Sequence, residues 1–334
     1  MTIVQKFGGS SLADLEKLRR AASIILEARR RGHSVVAVVS AAGDSTDELL
    51  DMARQIAPKL NQRELDALLS TGEQQSAALM AMMLESLGAP ARSYTGWQAG
   101  VCTDGEHGAA RIRLLVPERL HTALDTGLIP VVAGFQGLSP EGDITTLGRG
   151  GSDTTAVAVA AALEADECRI YTDVDGVYTA DPRRVPAARK LKEVDIAEME
   201  RLAAMGAQVL HRRSVALAAR FRVPLEVRSS FRPIPGTRIR PLPAAPGKAR
   251  LTAVTEHGGL TTLVGSQLRA APELGERARR ALEEAGIPVL SSLASDDRRS
   301  VQTPPDRGEE ALRCLHRAFL EEPSPAGPML LSEE

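Results

Sequence analysis

Apolar residues recur at two alternating spacings through the first two thirds of this chain. Short, nearly continuous apolar runs at 3–7, 34–40, 129–135, 169–172 and 224–228 read as strands. Ser34-Val-Val-Ala-Val-Val-Ser40 is apolar on both faces, the pattern of a strand buried in a parallel sheet. Leu12, Leu15, Leu18, Ala22, Ile25 and Leu26 form a helical stripe that ends near Gly32. The same spacing predicts helices over 47–56, 64–87 (closing at Gly88), 154–165, 196–205 and 215–221. Such alternation implies right-handed crossovers and an α/β fold of three layers, αβα, around a mostly parallel sheet. Ligands of these sheets sit beyond the carboxyl ends of the strands. The glycine turns after Phe7 and Leu147, and the Ser40-Ala-Ala-Gly43 turn, can all lie on that edge.

The pattern changes at residues 232–247, which hold Pro233, Pro235, Pro241, Pro243 and Pro246. Prolines at this density read as a linker, placed at 237–249, between a first domain at 1–236 and a second at 250–321. The second domain reads strand 260–264, helix 273–285, strand 288–293, strand 299–303 and helix 308–320, with 251–255 as a further strand. That order is most of a small ferredoxin-like module. Residues 322–334 carry three prolines and read as a disordered tail.

Composition narrows the functional classes. A net charge of −2 and an aromatic content of 3% argue against a nucleic-acid surface, which needs basic patches and stacking platforms. No apolar run has the length of a membrane span, and Met1-Thr-Ile-Val-Gln-Lys6 is too short and polar for a signal peptide. Cys102, Cys168 and Cys314 are widely spaced, match no metal-ligand pattern and suit reduced thiols in a cytoplasmic protein.

The chemistry concentrates in a few motifs. In Thr145-Thr-Leu-Gly-Arg-Gly-Gly-Ser-Asp-Thr-Thr155 a glycine-rich turn enters a helix. Arg149 can grip a carboxylate or phosphate, and Asp153 an ammonium group or a metal-bound phosphate. A site with both grips suits a ligand with both charges, such as an amino acid; the plainer reading is that Ser152 or Asp153 caps the helix. Lys6-Phe-Gly-Gly-Ser-Ser11 leaves a strand for a helix, so its N–H groups can cradle phosphates while Lys6 reaches a transferring phosphoryl group. A tight turn with a solvated lysine is the alternative. Ser40 and Thr46 flank Gly43 and can hold a carboxylate, or merely build the turn. Glu73 can pair an amino group, or complement a helix dipole. Tyr171-Thr-Asp-Val-Asp-Gly-Val-Tyr-Thr-Ala-Asp-Pro-Arg183 packs acids, tyrosines and an arginine into one loop, the density of a functional connector, although its Asp-Gly and Asp-Pro pairs also fit ordinary turns.

Taken in order, these motifs resemble the amino-acid kinases and, within them, the aspartate kinases, over about 3–236. Val39-Ser-Ala-Ala-Gly43, Thr46-Asp-Glu-Leu49, Leu69-Ser-Thr-Gly-Glu-Gln74, Gly96-Trp-Gln-Ala-Gly100, Val132-Ala-Gly-Phe-Gln-Gly137 and Pro224-Leu-Glu-Val-Arg-Ser-Ser230 carry the resemblance further. It implies ATP and aspartate as substrates, Mg²⁺ on the nucleotide phosphates, no protein-held metal, and a homodimer or larger homo-oligomer. Lys6 would stabilise the transferring phosphoryl group, with Phe7, Gly8, Gly9 and Ser10 at the phosphates. Arg149 would bind the α-carboxylate of aspartate, and Glu73 with Asp153 its amino group. Ser40, Thr46 and Ser152 would place the side-chain carboxylate, with Phe135, Gly150 and Gly151 around it, while Thr172, Asp173, Tyr178 and Arg183 would lie along ATP. Two departures stand out. Gly206-Ala-Gln-Val-Leu210 has Gln208 where the family pattern carries a lysine that reaches the nucleotide, leaving Arg212 or Arg213 as possible substitutes. Aspartate kinases of this type carry two ACT regulatory modules, and here 250–321 offers one module's worth, which implies weak or absent feedback inhibition by lysine or threonine.

Overall fold

A computed structural model describes residues 1–207, 209–243 and 249–321. Its contacts group the chain into two units, Met1–Gly176 with Val209–Pro241, and Val177–Gln208 with Leu242–Glu334.

In the first unit, strands Thr2–Phe7, Ser34–Val39, Ala91–Tyr94, Ile129–Ala133, Glu167–Thr172 and Leu225–Ser229 pair in parallel. Thr2–Phe7 lies between Glu167–Thr172 and Ser34–Val39, with Leu225–Ser229 and then Thr237–Arg240 on one flank and Ile129–Ala133 and Ala91–Tyr94 on the other. Helices Leu15–Arg30 and Gln62–Ser86 cover one face, where Phe7, Ile25, Val35, Val39, Met80, Leu84 and Val131 form a core. Gly151–Ala162 packs on Thr2–Phe7 with eight of its twelve residues buried, among them every position from Thr155 to Ala160, as its run of Ala and Val dictates. It begins at Gly151, three residues before the start that periodicity predicts, because small residues carry little amphipathic signal.

Elements too short to show a period went unread. Four strands, Ile112–Leu115, Val101–Thr103, Gln136–Leu138 and Ile144–Thr146, form a second small sheet in that order, each of only three or four residues. Helix Glu118–Asp125 was also missed. The stretch read as a linker from 237 begins instead as strand Thr237–Arg240, antiparallel to Leu225–Ser229. Pro235 and Pro241 punctuate its two ends, where a missing N–H breaks no ladder. Residues 244–248 of that stretch, and the tail at 322–334, lie outside the described residues.

The second unit has a four-stranded antiparallel sheet in the order Arg250–His257, Leu260–Ser266, Arg298–Gln302, Ser291–Ala294. Helices Glu273–Glu284 and Gly308–His316 contribute Ala278, Leu282, Ala311, Leu312 and Leu315 to its core. The segment 177–207, placed with the first domain from sequence, packs here. Ala180 and Val185 join this core, and Val254 N–H donates to the Thr179 carbonyl at 2.8 Å. A polar turn-rich loop shows no pattern that would have revealed this.

Candidate active site

The carboxyl edge of the parallel sheet gathers most of the residues singled out in the first unit. Strand Thr2–Phe7 delivers Lys6 and then the Gly8–Gly9 turn. Gly8 N–H donates to the Tyr171 carbonyl at 3.1 Å, and Gly43 N–H to the Gly9 carbonyl at 3.0 Å. A Cβ on Gly9 would lie 2.8 Å from the Ala41 carbonyl oxygen, so the two turns meet backbone to backbone and no side chain fits between them. Phe7 stacks on Tyr171 with ring centroids 4.8 Å apart, which ties this turn to the neighbouring strand.

Lys6 Nζ lies 2.7 Å from Asp153 Oδ1, both side chains largely buried. Asp153 sits in the first turn of Gly151–Ala162, which brings the lysine to that helix's positive end. The reading of Ser152 or Asp153 as a helix cap does not hold: the N-cap is Gly150 in the left-handed conformation, with no side-chain capping bond. A Cβ at Gly150 would meet His211 Cβ at 2.2 Å, so glycine is required there both by φ and by space.

Glu73 approaches the same point from helix Gln62–Ser86. It is buried, one carboxylate oxygen has no partner, and desolvation pushes its pKa up to about 7, against hydrogen bonding from the Ala41 backbone and the nearby Lys6 charge. A carboxyl with a folded pKa above its unfolded value weakens folding as pH rises between the two. Stability is therefore expected to fall from about pH 4.5 to about pH 7 by an order of 3 kcal/mol at this group, then level off. Glu73→Gln should flatten that decline in thermal melts; an unchanged slope would assign it to other groups. An ammonium group beside Glu73 would favour its carboxylate and reverse the shift.

Phe135 follows strand Ile129–Ala133 at φ 71°, an unusual conformation for a residue with a Cβ. Three contacts hold it: Phe135 N–H donates to Thr155 Oγ1 at 3.1 Å, Leu147 N–H donates to its carbonyl at 2.8 Å, and its ring fills the space a side chain on Gly151 would take. Gly134 abuts Ser152, where an added Cβ would stand 2.8 Å from the serine Cβ. Ser40 closes the adjacent turn, its N–H on the Phe7 carbonyl, and Thr46 is half-buried in helix Ser45–Arg54. Ser10 is exposed in the turn Gly9–Ser11.

Arg149 is exposed and makes no ion pair or side-chain hydrogen bond with the described residues. Its flanks are fixed. Arg213 donates to the carbonyls of Leu147, at 2.5 Å, and Ala109, at 3.2 Å, so of the two arginines considered as substitutes for a nucleotide-binding lysine, Arg213 is already engaged while Arg212 is exposed. Buried Asp66 accepts from Thr146 N–H at 3.0 Å, Thr146 Oγ1 at 2.5 Å, Gly108 N–H at 2.9 Å and His107 Nδ1 at 2.9 Å. The sequence reading passed over it, although an acid at 66 shares a helix face with Leu69, Ser70 and Glu73, and that placement was the available signal.

Thr172 ends strand Glu167–Thr172 and its hydroxyl donates to Asp173 at 2.9 Å. Tyr178 and Arg183 belong to the second unit, where Arg183 forks onto Asp181 with Nε and Nη2 at 3.0 and 2.9 Å. Gln208 lies outside the described residues. Among the described residues no three His, Cys, Asp or Glu side chains cluster as a metal site, and no helix is long and apolar enough to cross a membrane.

The chain matches the amino acid kinase family over residues 1–229. It is 59% identical to the aspartokinase of Mycolicibacterium smegmatis over 239 residues, 71% of this chain and 57% of that protein. To the Thermus thermophilus aspartokinase it is 48% identical over 290 residues, 86% of this chain and 71% of that one. The chain thus spans little more than half the length of the first of these relatives. Aspartate kinase from Synechocystis superposes with a TM-score of 0.66 and 31% identity, over 98% of this chain and 71% of that one. E. coli aspartokinase III, solved with aspartate and ADP, superposes with a TM-score of 0.84 over 96% of this chain and all of that one; at 24% identity this likeness speaks to the fold alone.

Proposed function

Since the chain belongs to the amino acid kinase family, we propose that it is an aspartate kinase, transferring the γ-phosphoryl group of ATP to the side-chain carboxylate of aspartate. The observation that carries this reading is the meeting of Lys6, Asp153 and Glu73 at one point of the sheet edge, beside a glycine turn. A lysine between two acids, with exposed Arg149 four positions before Asp153 in the chain, presents charges complementary to a zwitterion and a phosphoryl group together.

The reaction follows from those charges. The aspartate side chain is already ionised at neutral pH, so no general base is needed. One carboxylate oxygen bonds to the γ-phosphorus as the bond to the β,γ-bridging oxygen breaks; the electron pair leaves with ADP, and 4-phospho-aspartate, an acyl phosphate, forms. The protein's part is alignment and charge neutralisation. Lys6 turns from Asp153 to the phosphoryl oxygens, and Asp153 with Glu73 receives the α-ammonium group. Arg149 holds the α-carboxylate, Ser40, Thr46 and Ser152 the reacting one, and the Gly8–Gly9 turn lies against the phosphates. Thr172 and Asp173 contact the nucleotide. Mg²⁺ would ride on the nucleotide phosphates and neutralise their charge. We place the protein in the cytoplasm as a homo-oligomer, with 250–321 as a single ACT-like module.

An ADP-release assay with aspartate, with glutamate and with no acceptor tests the reading. Aspartate-dependent release supports it. Release with glutamate alone would make this another amino-acid kinase, and no release alongside retained aspartate binding would make it a regulator. Gln208→Lys is expected to lower the KM for ATP about tenfold, near 1.4 kcal/mol, by restoring a cation to the nucleotide; unchanged kinetics would break the proposed correspondence. Lysine and threonine at millimolar concentration should inhibit weakly or not at all, and strong inhibition by either would overturn the reading of the shortened module.

A further inference from the structure

Across the sheet from Lys6 lies a pocket. Alternation along strand Thr2–Phe7 sends Lys6 toward helix Gly151–Ala162 and Gln5 to the opposite face. There the pairing register aligns Gln5 with Arg169 and Glu226, and Tyr171 with Arg228. Helix Leu15–Arg30 covers this face only in part, and between it and these strands opens a cavity of about 590 Å³. Ile24 and Ala28 form one wall, Phe231 and Pro233 another. Five arginines, Arg20, Arg31, Arg169, Arg228 and Arg232, reach it.

Two features show what it would take. Arg20 pairs with Glu16, Arg31 with Glu27, Arg169 with Glu167 and Glu226, and Arg228 with Glu226. The Arg232 guanidinium has no carboxylate among the described residues, so one positive charge is left over. The second feature is Gln5. It is fully buried, its Nε2 reaches Tyr171 Oη only at 3.5 Å, and its Oε1 has no partner. Turning the amide over exchanges the two atoms without removing the deficit, because one of them always faces the cavity unpaired. A buried amide atom without a partner is costly, and a ligand atom that meets it recovers that cost.

We propose that this cavity binds a small organic monocarboxylate with an apolar, preferably aromatic, body. The carboxylate meets Arg232 and the Arg169–Arg228 row; the Gln5 amide, turned over so that Oε1 lies toward Tyr171 Oη and Nε2 faces the cavity, donates its N–H to it; and the body lies between Ile24 and Phe231. The cavity's size and mixture of apolar walls with convergent polar groups suit such a ligand. This site is independent of the proposed kinase activity, and its test is direct binding rather than turnover.

The probe is naphthoate, followed by its own fluorescence, with the neutral naphthalene carboxamide and inorganic phosphate as comparisons. Naphthoate should bind saturably at one site per chain, at least tenfold more tightly than either comparison. Gln5→Leu should weaken it about tenfold. Ser23→Tyr, at an exposed position on the cavity's rim, should block it without disturbing the core. Binding should persist with ATP and aspartate at saturation. Equal affinity for the carboxamide or phosphate, displacement by ATP or aspartate, or unchanged binding in a folded Ser23→Tyr protein would each overturn the proposal.

Discussion

Lys6→Met is expected to lower kcat by about a thousandfold or more, roughly 4 kcal/mol of lost transition-state stabilisation. The phosphoryl oxygens are charged before and during transfer, but the leaving β,γ-bridging oxygen gains negative charge only as its bond breaks, so a cation held against both acts on kcat more than on KM. The same variant should cost stability, because it strands Asp153 in a largely buried place without its partner 2.7 Å away. Breaking a buried pair from one side costs about 3 kcal/mol or more. The two effects separate in the double variant Lys6→Met/Asp153→Asn. Removing both charges should return the melting temperature toward that of the parent, while activity stays lost. A Lys6→Met protein that melts normally and turns over within tenfold of the parent would remove Lys6 from the chemistry. A double variant that recovered activity as well as stability would make the pair purely structural.

That pair also marks how far the sequence could be read. Lys6 and Asp153 are 147 positions apart, and nothing in either motif shows that they touch. Both were chosen for the charges their turns would welcome, and the structure supplies the contact between them. The long elements were legible because a period of 3.6 or an unbroken apolar run survives over many residues, as in Ser34–Val39 and Gln62–Ser86. Strands of three residues, such as Val101–Thr103, carry no period at all. The loop of Tyr178 and Arg183 packs with the second unit rather than with the first domain, where its sequence position placed it. Beside the apolar Ala180 and Val185, part of its buried anchor is polar: Thr179 Oγ1 meets the buried His316 Nε2 at 2.8 Å, and His316 Nδ1 meets Glu321 at 2.6 Å. A hydrogen-bonded anchor of that kind leaves no hydrophobic trace. Asp66 escaped for a related reason. A single acid within a long amphipathic helix reads as a solvated position unless its face is followed turn by turn.

Asp66→Asn should then show what that buried acid does. Both of its oxygens accept from donors, Oδ1 from Gly108 N–H and Thr146 Oγ1, Oδ2 from His107 Nδ1, Gly108 N–H and Thr146 N–H. Asparagine has one accepting atom, and either orientation of its amide turns an NH₂ group toward backbone N–H. The expected cost is about 3 kcal/mol of stability, the scale of a charged acceptor lost from a buried network. Its consequence for the site runs through Arg149. Asp66 fixes the backbone of Thr146, three positions upstream, and of Gly108, whose carbonyl leaves no room for a side chain on Gly148. With the approach loosened, the guanidinium samples more positions and grips a carboxylate less often in the right one. The KM for aspartate should rise about tenfold while the KM for ATP stays within twofold, since the Gly8–Gly9 turn rests on Tyr171 and Ala41 rather than on this network. That split distinguishes positioning from general damage, which would move both constants or neither. Equal increases in the two KM values, or lost stability with aspartate binding intact, would confine Asp66 to holding the fold.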